Sequence, residues 1–374
     1  MRIIEIRIKD FRNFDELILK PQNIVNVFLG DNAQGKTNLL EAIHFSSLGR
    51  SQRAVKEADL IRWNQSQAII HLTFSKLGVE QTVAFEISTD RQRRILINEQ
   101  PTRIKQLIGR FNTVLFAPED LFLIKGSPSN RRKFLDAEIS QASPVYFADL
   151  LTYNKVLAQR NSLLKLIKDG QTKIDSLALW NEQLADIAIK IITKRLDAIK
   201  KINLIANDIQ KKISAHIENL NIIYEIHGAE GNDNILNDVN KWYQQKLIDN
   251  QRIDIIRGST SFGPHLDDIK LLINQRDLRS FGSQGQQRTA VLALKLSELE
   301  FLKAETDEYP ILLLDDVMSE LDINRRTELL DFLNRQQIQT FITATEAAYF
   351  PGTSKADFFN VRAGKVNRNE KILP

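Results

Sequence analysis

Eight residues near the amino terminus, GDNAQGKT (30–37), set two glycines, a lysine and a hydroxyl in the spacing G-x-x-x-x-G-K-[ST]. These residue types suit a dense anion. Backbone N–H groups of a glycine-containing loop and of a helix N-terminus converge on phosphate, and small residues let the backbone approach it. Lys36 can reach the β- and γ-phosphates, and the Thr37 hydroxyl can ligate Mg2+. The expected nucleotide contacts are Gly30, Asp31, Asn32, Ala33, Gln34, Gly35, Lys36, Thr37 and Asn38. The alternative is a chance match in an ordinary glycine turn. It loses weight because NIVNVFLG (23–30) reads as a buried strand and KTNLLEAIHFSSL as a helix, the context a P-loop requires.

ILLLDDVMSELD (311–322) has an apolar run that ends in two acids. Such a run is a central strand that carries a carboxylate to the sheet edge where α/β proteins bind ligands. Asp315 is expected to hold Mg2+, directly or through water, and Asp316 to orient an attacking water as general base. Asp316 and Lys36 are therefore the expected catalytic pair, and Thr37 and Asp315 the expected metal ligands.

SFGSQGQQRTA (280–290) packs small hydrogen-bonding residues at the mouth of a helical segment. Ser283, Gln284, Gly285 and Gln286 resemble the S-x-G-Q signature of ATP-binding-cassette ATPases, about 30 residues before the acidic strand as in that superfamily. The resemblance implies that a serine hydroxyl and helix N-terminal N–H groups bind the γ-phosphate held on a second subunit's P-loop. SELD follows the acidic strand as a D-loop, with Ser319 and Asp322 its marked residues. A plain Gly/Ser N-cap would suffice for the helix alone; the order of P-loop, signature, acidic strand and D-loop argues for more.

The elements that must position these residues follow from the wider pattern. The 374 residues exceed one ordinary domain. With 43% hydrophobic and 26% charged residues the composition is that of a globular protein, and no apolar run approaches the ~20 residues that cross a bilayer. No membrane partner is expected, and the start, MRIIEIRIKDF, lacks a signal-peptide core. There is no cysteine, which excludes disulfides and thiolate chemistry and suits a cytoplasmic location. The net charge of +4 is mild, but residues 91–110 hold six basic residues and one acid. Arg93 and Arg94 there, and Arg131 and Arg132 further on, could contact DNA phosphates or simply form a solvated face. His44, His71, His216 and His227 are scattered, without metal-ligand spacing.

Residues 3–9 alternate Ile4, Ile6 and Ile8 with Glu5, Arg7 and Lys9, a half-buried strand. Two strands are expected around Gly78, and one more in RRILINEQPTR. From 145 to 220 the chain reads as helix, broken at Gly170, with Asp175 or Ser176 as the next cap. After NIIYEIHG (221–228) and a polar connection, strand and helix alternate again from 254. The expected fold is α/β: an ABC-type P-loop ATPase head with a mixed sheet over 1–118 and 254–374, and an inserted, mostly helical arm domain over 119–253.

Taken together, GDNAQGKTNLLEAI, FAPEDL, KGSPSNRRKFLD, LAQRNSLLK, GPHLDD, SQGQQRT and LLLDDVMSELD resemble the RecF family nearly end to end. Residues 125–136 and 263–268 are particular to that family. The resemblance implies a weak, DNA-stimulated ATPase that dimerises with ATP and binds double-stranded DNA at gaps or single-strand/double-strand junctions. It also implies work with RecR, and indirectly RecO, in loading RecA. Leu266 stands where an arginine is expected between His265 and Asp267. Thr343 or Thr345 of TATE stands in place of a switch histidine, and Asp316 in place of a glutamate. Cohesion-type SMC ATPases need longer coiled coils than the span 176–220 offers, ~68 Å even unbroken. A transporter subunit fits the basic balance and the arm poorly. A DNA-binding scaffold that holds ATP without hydrolysis is opposed by Lys36, Asp315 and Asp316 together.

Overall fold

The computed structural model describes residues 1–229, 239–320, 323–350 and 356–369. Its packing divides the chain into two compact units, Met1–Asp120 with Lys295–Pro374, and Leu121–Leu294. The first is the head. One of its six-stranded sheets is antiparallel, built from Phe14–Leu19, Arg2–Phe11, Gln67–Lys76, Val79–Ser88, Arg94–Ile97 and Gln100–Thr102 in that order. The first strand slips its expected alternation. A bulge between Ile3 and Glu5 turns Ile3 inward and Ile4 outward, and Glu5 is buried against Arg7 and Lys20. RRILINEQPTR makes two strands rather than one, because Asn98 and Glu99 both take positive φ and close a tight hairpin.

The second head sheet runs Lys365–Arg368, Ala356–Arg362, Val25–Leu29, Thr340–Ala344, Ile311–Asp315 and Thr113–Phe116. All but the edge strand Lys365–Arg368 are parallel. Strands buried on both faces favour apolar residues, and VNVFL and TFITA are buried throughout, with their polar members Asn26, Thr340 and Thr343 each hydrogen-bonded inside the protein. The helix Lys36–Leu48 belongs to one apolar cluster with both sheets: Leu39, Leu40 and Phe45 join Ile70, Phe74 and Phe85 of one sheet and Phe28, Leu313 and Phe341 of the other. That accounts for its lack of a polar face.

The second unit is the arm. The helices Pro144–Lys168 and Leu177–Ile213 pack together. Gly170, at φ 72°, closes the first, with Gln171 N–H donating to Leu166 O. Ser176 precedes the second helix but makes no side-chain cap bond. At 37 residues that helix is about 56 Å long. The expected boundaries need correction here. Asp268–Ile273, placed with the head by its sequence texture, pairs antiparallel with Leu220–Glu225 over six register positions. The segment 254–294, signature loop included, therefore packs with the arm.

Candidate nucleotide site

Five parallel strands of the head end at one sheet edge, so the loops that follow Leu29, Ala344, Asp315, Phe116 and Arg362 gather there. Gly35 opens the P-loop helix at φ 110°, no side chain caps that helix and no acid lies in its first turn. Its first N–H groups and the positive end of its dipole are left for an anion. Lys36 Nζ donates to Gly30 O at 2.6 Å and Asp31 O at 2.9 Å. Burial pushes the Lys36 pKa down, against the attraction of Asp316, Asp315 and Asp31.

The P-loop is braced by residues that its motif does not contain. Asn13 Nδ2 donates to Gln34 O at 2.9 Å, and Asn38 Nδ2 donates to Asn13 Oδ1 at 2.8 Å. Ala363 N–H donates to Gln34 Oε1 at 2.8 Å, and Gly364 N–H to Gln34 O at 3.1 Å. A Cβ on Gly35 would lie 2.3 Å from Asn13 Nδ2, and one on Gly30 would lie 2.4 Å from Val361 O. Both glycines are thus required by neighbouring protein, whatever the ligand needs. Nothing local in the sequence marks Asn13 or the 363–364 turn.

Thr37 and Asp315 meet: Thr37 Oγ1 donates to Asp315 Oδ1 at 2.9 Å. The Thr343 hydroxyl donates to the same oxygen at 2.7 Å and accepts from Asp316 N–H at 2.9 Å. Thr343, fully buried, therefore holds the two acids in place rather than facing outward as a phosphate sensor. Burial pushes the Asp315 pKa up, and the bonds from Thr343 and Thr37 oppose this. Asp316 sits at φ 54°, and its Oδ1 is buried without a hydrogen-bond partner. A hydroxyl and one carboxylate are the few hard oxygen ligands that Mg2+ takes from a protein when phosphates supply the rest. Asp315 and the partnerless Asp316 oxygen fit a nearby cation and a polar guest. His44 is elsewhere and neutral: Nδ1 faces Thr113 Oγ1 at 2.9 Å, and burial pushes it down to about 3.

Ser283, Gln284 and Gly285 are exposed at the start of the helix Gln284–Thr306. Ser283 Oγ accepts from Gln286 N–H at 3.2 Å, and Gln286 Oε1 accepts from Ser283 N–H at 3.0 Å, a reciprocal capping box. Ser319 Oγ donates to Asp316 O at 2.7 Å, which ties the D-loop start to the acidic strand. Asp322 lies outside the described residues.

The four arginines expected at DNA do not share one environment. Arg131 is buried, and its fork donates to Asp268 at 2.7 and 2.8 Å and to two backbone carbonyls. Its burial, with four of its five N–H donors bonded inside the protein, makes it a structural residue of the arm rather than a surface phosphate contact. Arg132 donates to Asp267 O at 2.8 Å and is half-buried. Arg93 donates to Gly49 O and to Glu57, whereas Arg94 is exposed in a surface pair with Glu86. The stretches 125–136 and 263–268 meet here: Arg131 and Arg132 bind Asp268 and Asp267, and Arg195 joins Asp136 to Pro264 O. The Leu266 N–H donates to Gly263 O at 2.8 Å, and its half-buried apolar side chain adds no hydrogen bond to this network, whose Asp267 accepts from Tyr224 Oη and His227 N–H.

Comparison with known proteins supplies the remaining findings. Residues 2–366 match the RecF/RecN/SMC N terminal domain family. The chain is 43% identical over the full length of both chains to the DNA replication and repair protein RecF of Halothermothrix orenii. It is 44% identical to that of Alkaliphilus oremlandii, over 92% of this chain and 93% of the relative. A solved structure of the recombination mediator protein RecF-ATP in the RecFOR pathway superposes with TM-score 0.91 at 39% identity, over 98% of this chain and 97% of the other. An Smc head domain from Pyrococcus furiosus superposes with TM-score 0.57 at 16% identity, over 98% and 96%, a likeness of fold alone.

Proposed function

This chain belongs to the RecF family of DNA replication and repair proteins, and from that premise we propose that it is an ATP-timed clamp on duplex DNA. The observation that carries the ATP half is the meeting of Thr37 and Asp315, 278 positions apart, beside an uncapped P-loop helix. Backbone N–H groups of residues 33–38 and the Lys36 ammonium bind the triphosphate, with Lys36 turning from the Gly30 and Asp31 carbonyls to phosphate. Thr37 and Asp315 would hold Mg2+, which supplies charge neutralisation at the β- and γ-phosphates. Asp316 accepts the proton of the attacking water as general base. In the homodimer, the exposed Ser283 and the N–H groups after it close on the γ-phosphate bound by the partner subunit. Loss of that phosphate removes the bridge and opens the clamp.

DNA is gripped through phosphates, with little base readout. Gaps and single-strand/double-strand junctions are the targets, and RecR, with RecO behind it, is the partner through which RecA loading is assisted. The RecFOR setting of the solved relatives supports the choice of RecR and RecO as partners. The test is solution mass by light scattering with ATP, with ADP and without nucleotide, each with and without duplex DNA. A dimer that forms only with ATP, and slow ATP turnover that rises with DNA, are expected. A monomer under every condition would remove the clamp and leave only a nucleotide-binding head.

A further inference from the structure

Glu218 belongs to no nucleotide motif, yet it holds the signature loop. It lies just beyond the C-terminal end of the helix Leu177–Ile213. Its Oε1 accepts from Gln286 Nε2 at 3.0 Å, and its Oε2 accepts from Gln210 Nε2 at 2.7 Å. Its own N–H donates to Ser214 Oγ at 3.1 Å, so backbone and carboxylate are both anchored. Gln210 is completely buried.

Gln286 is the glutamine of the capping box. Its Oε1 accepts from Ser283 N–H while its Nε2 donates to Glu218. Those two partners fix the orientation of the amide. A flip would set Nε2 against the Ser283 N–H and Oε1 against a carboxylate, two contacts of like polarity. With the amide fixed, the Ser283 N–H is held and its Oγ accepts from Gln286 N–H, which leaves the hydroxyl proton free to donate outward.

We propose that Glu218 is a positioning residue for the signature serine: by orienting the Gln286 amide it preorganises Ser283 for the γ-phosphate of the partner subunit. The inference rests on the composite-site reading given above. Without the carboxylate, the Gln286 amide is free to rotate, and ordering Ser283 is charged to dimer formation.

The test uses the full chain. Glu218→Ala is expected to raise the dissociation constant of the ATP-bound dimer by about ten-fold, the scale of one lost hydrogen bond to a charged group. Nucleotide binding to the monomer should stay at the wild-type level. Glu218→Gln should restore dimerisation, because Gln210 can rotate and use its Oε1, which has no partner in the wild type. In a Gln286→Ala background, Glu218→Ala should add little, since its route runs through that amide. Should Glu218→Ala fail to fold, Glu218→Met keeps the volume and removes only the acceptor. Wild-type dimerisation in a folded Glu218 variant, or an undiminished loss in the Gln286→Ala background, overturns the proposal. A wild-type chain that never dimerises with ATP, or a Ser283→Arg variant that dimerises normally, overturns the composite site itself. If those two controls behave as expected and the Glu218 variants match wild type, only the positioning role fails.

Discussion

The Thr343 hydroxyl donates to Asp315 Oδ1 at 2.7 Å, and that oxygen also accepts from Thr37 at 2.9 Å. Asp316 N–H then donates back to Thr343 Oγ1. One threonine on the neighbouring strand thus fixes the direction of both acids. Thr343→Val keeps the shape, removes a donor to Asp315 and orphans the Asp316 N–H. It should cost about 1–3 kcal/mol of stability in denaturant unfolding. ATP turnover should fall by about ten-fold with little change in ATP affinity. Wild-type turnover in a stable variant would show that the acids need no such support.

Asp315 is costly to the nucleotide-free protein. Its pKa is raised by burial, so the fold favours the neutral acid. Its contribution to stability is therefore complete below the ordinary carboxylate value and is lost as pH rises through the raised one. Asp315→Asn keeps an oxygen for both threonine hydroxyls and cannot ionise. Near neutral pH its unfolding midpoint without nucleotide should exceed that of wild type, and the gain should vanish in acid. Mg2+-dependent hydrolysis should be lost. A lower midpoint at neutral pH would contradict the burial argument.

Asp316→Asn separates clamping from hydrolysis. The partnerless Asp316 Oδ1 marks where the base would act. The variant should dimerise with ATP by light scattering yet turn over at least about 100-fold more slowly, the scale of general-base catalysis. Wild-type turnover would point to another base, and failure to dimerise would give the residue a structural role instead.

Arg94 and Arg131 should respond in opposite ways. Arg94→Gln, on an exposed strand, should weaken duplex DNA binding and lower the salt slope by about one, with unfolding changed by less than about 1 kcal/mol. Charge reversal at this position would set two carboxylates opposite each other, since Arg94 pairs with Glu86 across the strands. Arg131→Ala leaves Asp268 without its fork and should destabilise the arm by about 3 kcal/mol. An unchanged salt slope for Arg94→Gln would return that cluster to a solvated face.

His265 gives the arm an acid sensitivity. Its Nε2 faces Thr260 O at 3.3 Å and its Nδ1 faces the Tyr153 hydroxyl at 2.6 Å, and burial pushes it down to about 4. Its contribution is present above the ordinary value of 6.5 and is lost as pH falls toward 4. His44 acts in the same direction, and the raised Asp120 and Asp267 oppose it. The measurement is therefore a difference. Between about pH 7 and about pH 4.5 the unfolding midpoint of His265→Asn should fall less than that of wild type. Parallel curves would exclude the histidine.

The P-loop, the acidic strand and the signature loop were legible in the sequence because each works through residues adjacent in the chain. A glycine turn, an apolar run ending in acid and a Ser/Gly loop opening a helix carry their geometry with them, although the reciprocal bonds of Ser283 and Gln286 show only in the structure. Thr343 was legible only as the residue in the place of a switch histidine, not as the partner of both acids, and Asn13, Gln210 and Glu218 were not legible as parts of a site at all, since these roles depend on which segments become neighbours. Strand order brings Thr343 beside Asp315, and a hairpin turn brings Asn13 under Gln34. As letters Arg94 and Arg131 are alike, but burial against Asp268 makes one structural and leaves the other on the surface. IKLLI reads as a strand in either unit, and only its pairing with Leu220–Glu225 assigns it to the arm. Local sequence determined which chemistry the chain can perform; long-range pairing and burial decided which residues hold that chemistry in place, because hydrogen-bond partners and solvent exposure exist only once distant segments have packed.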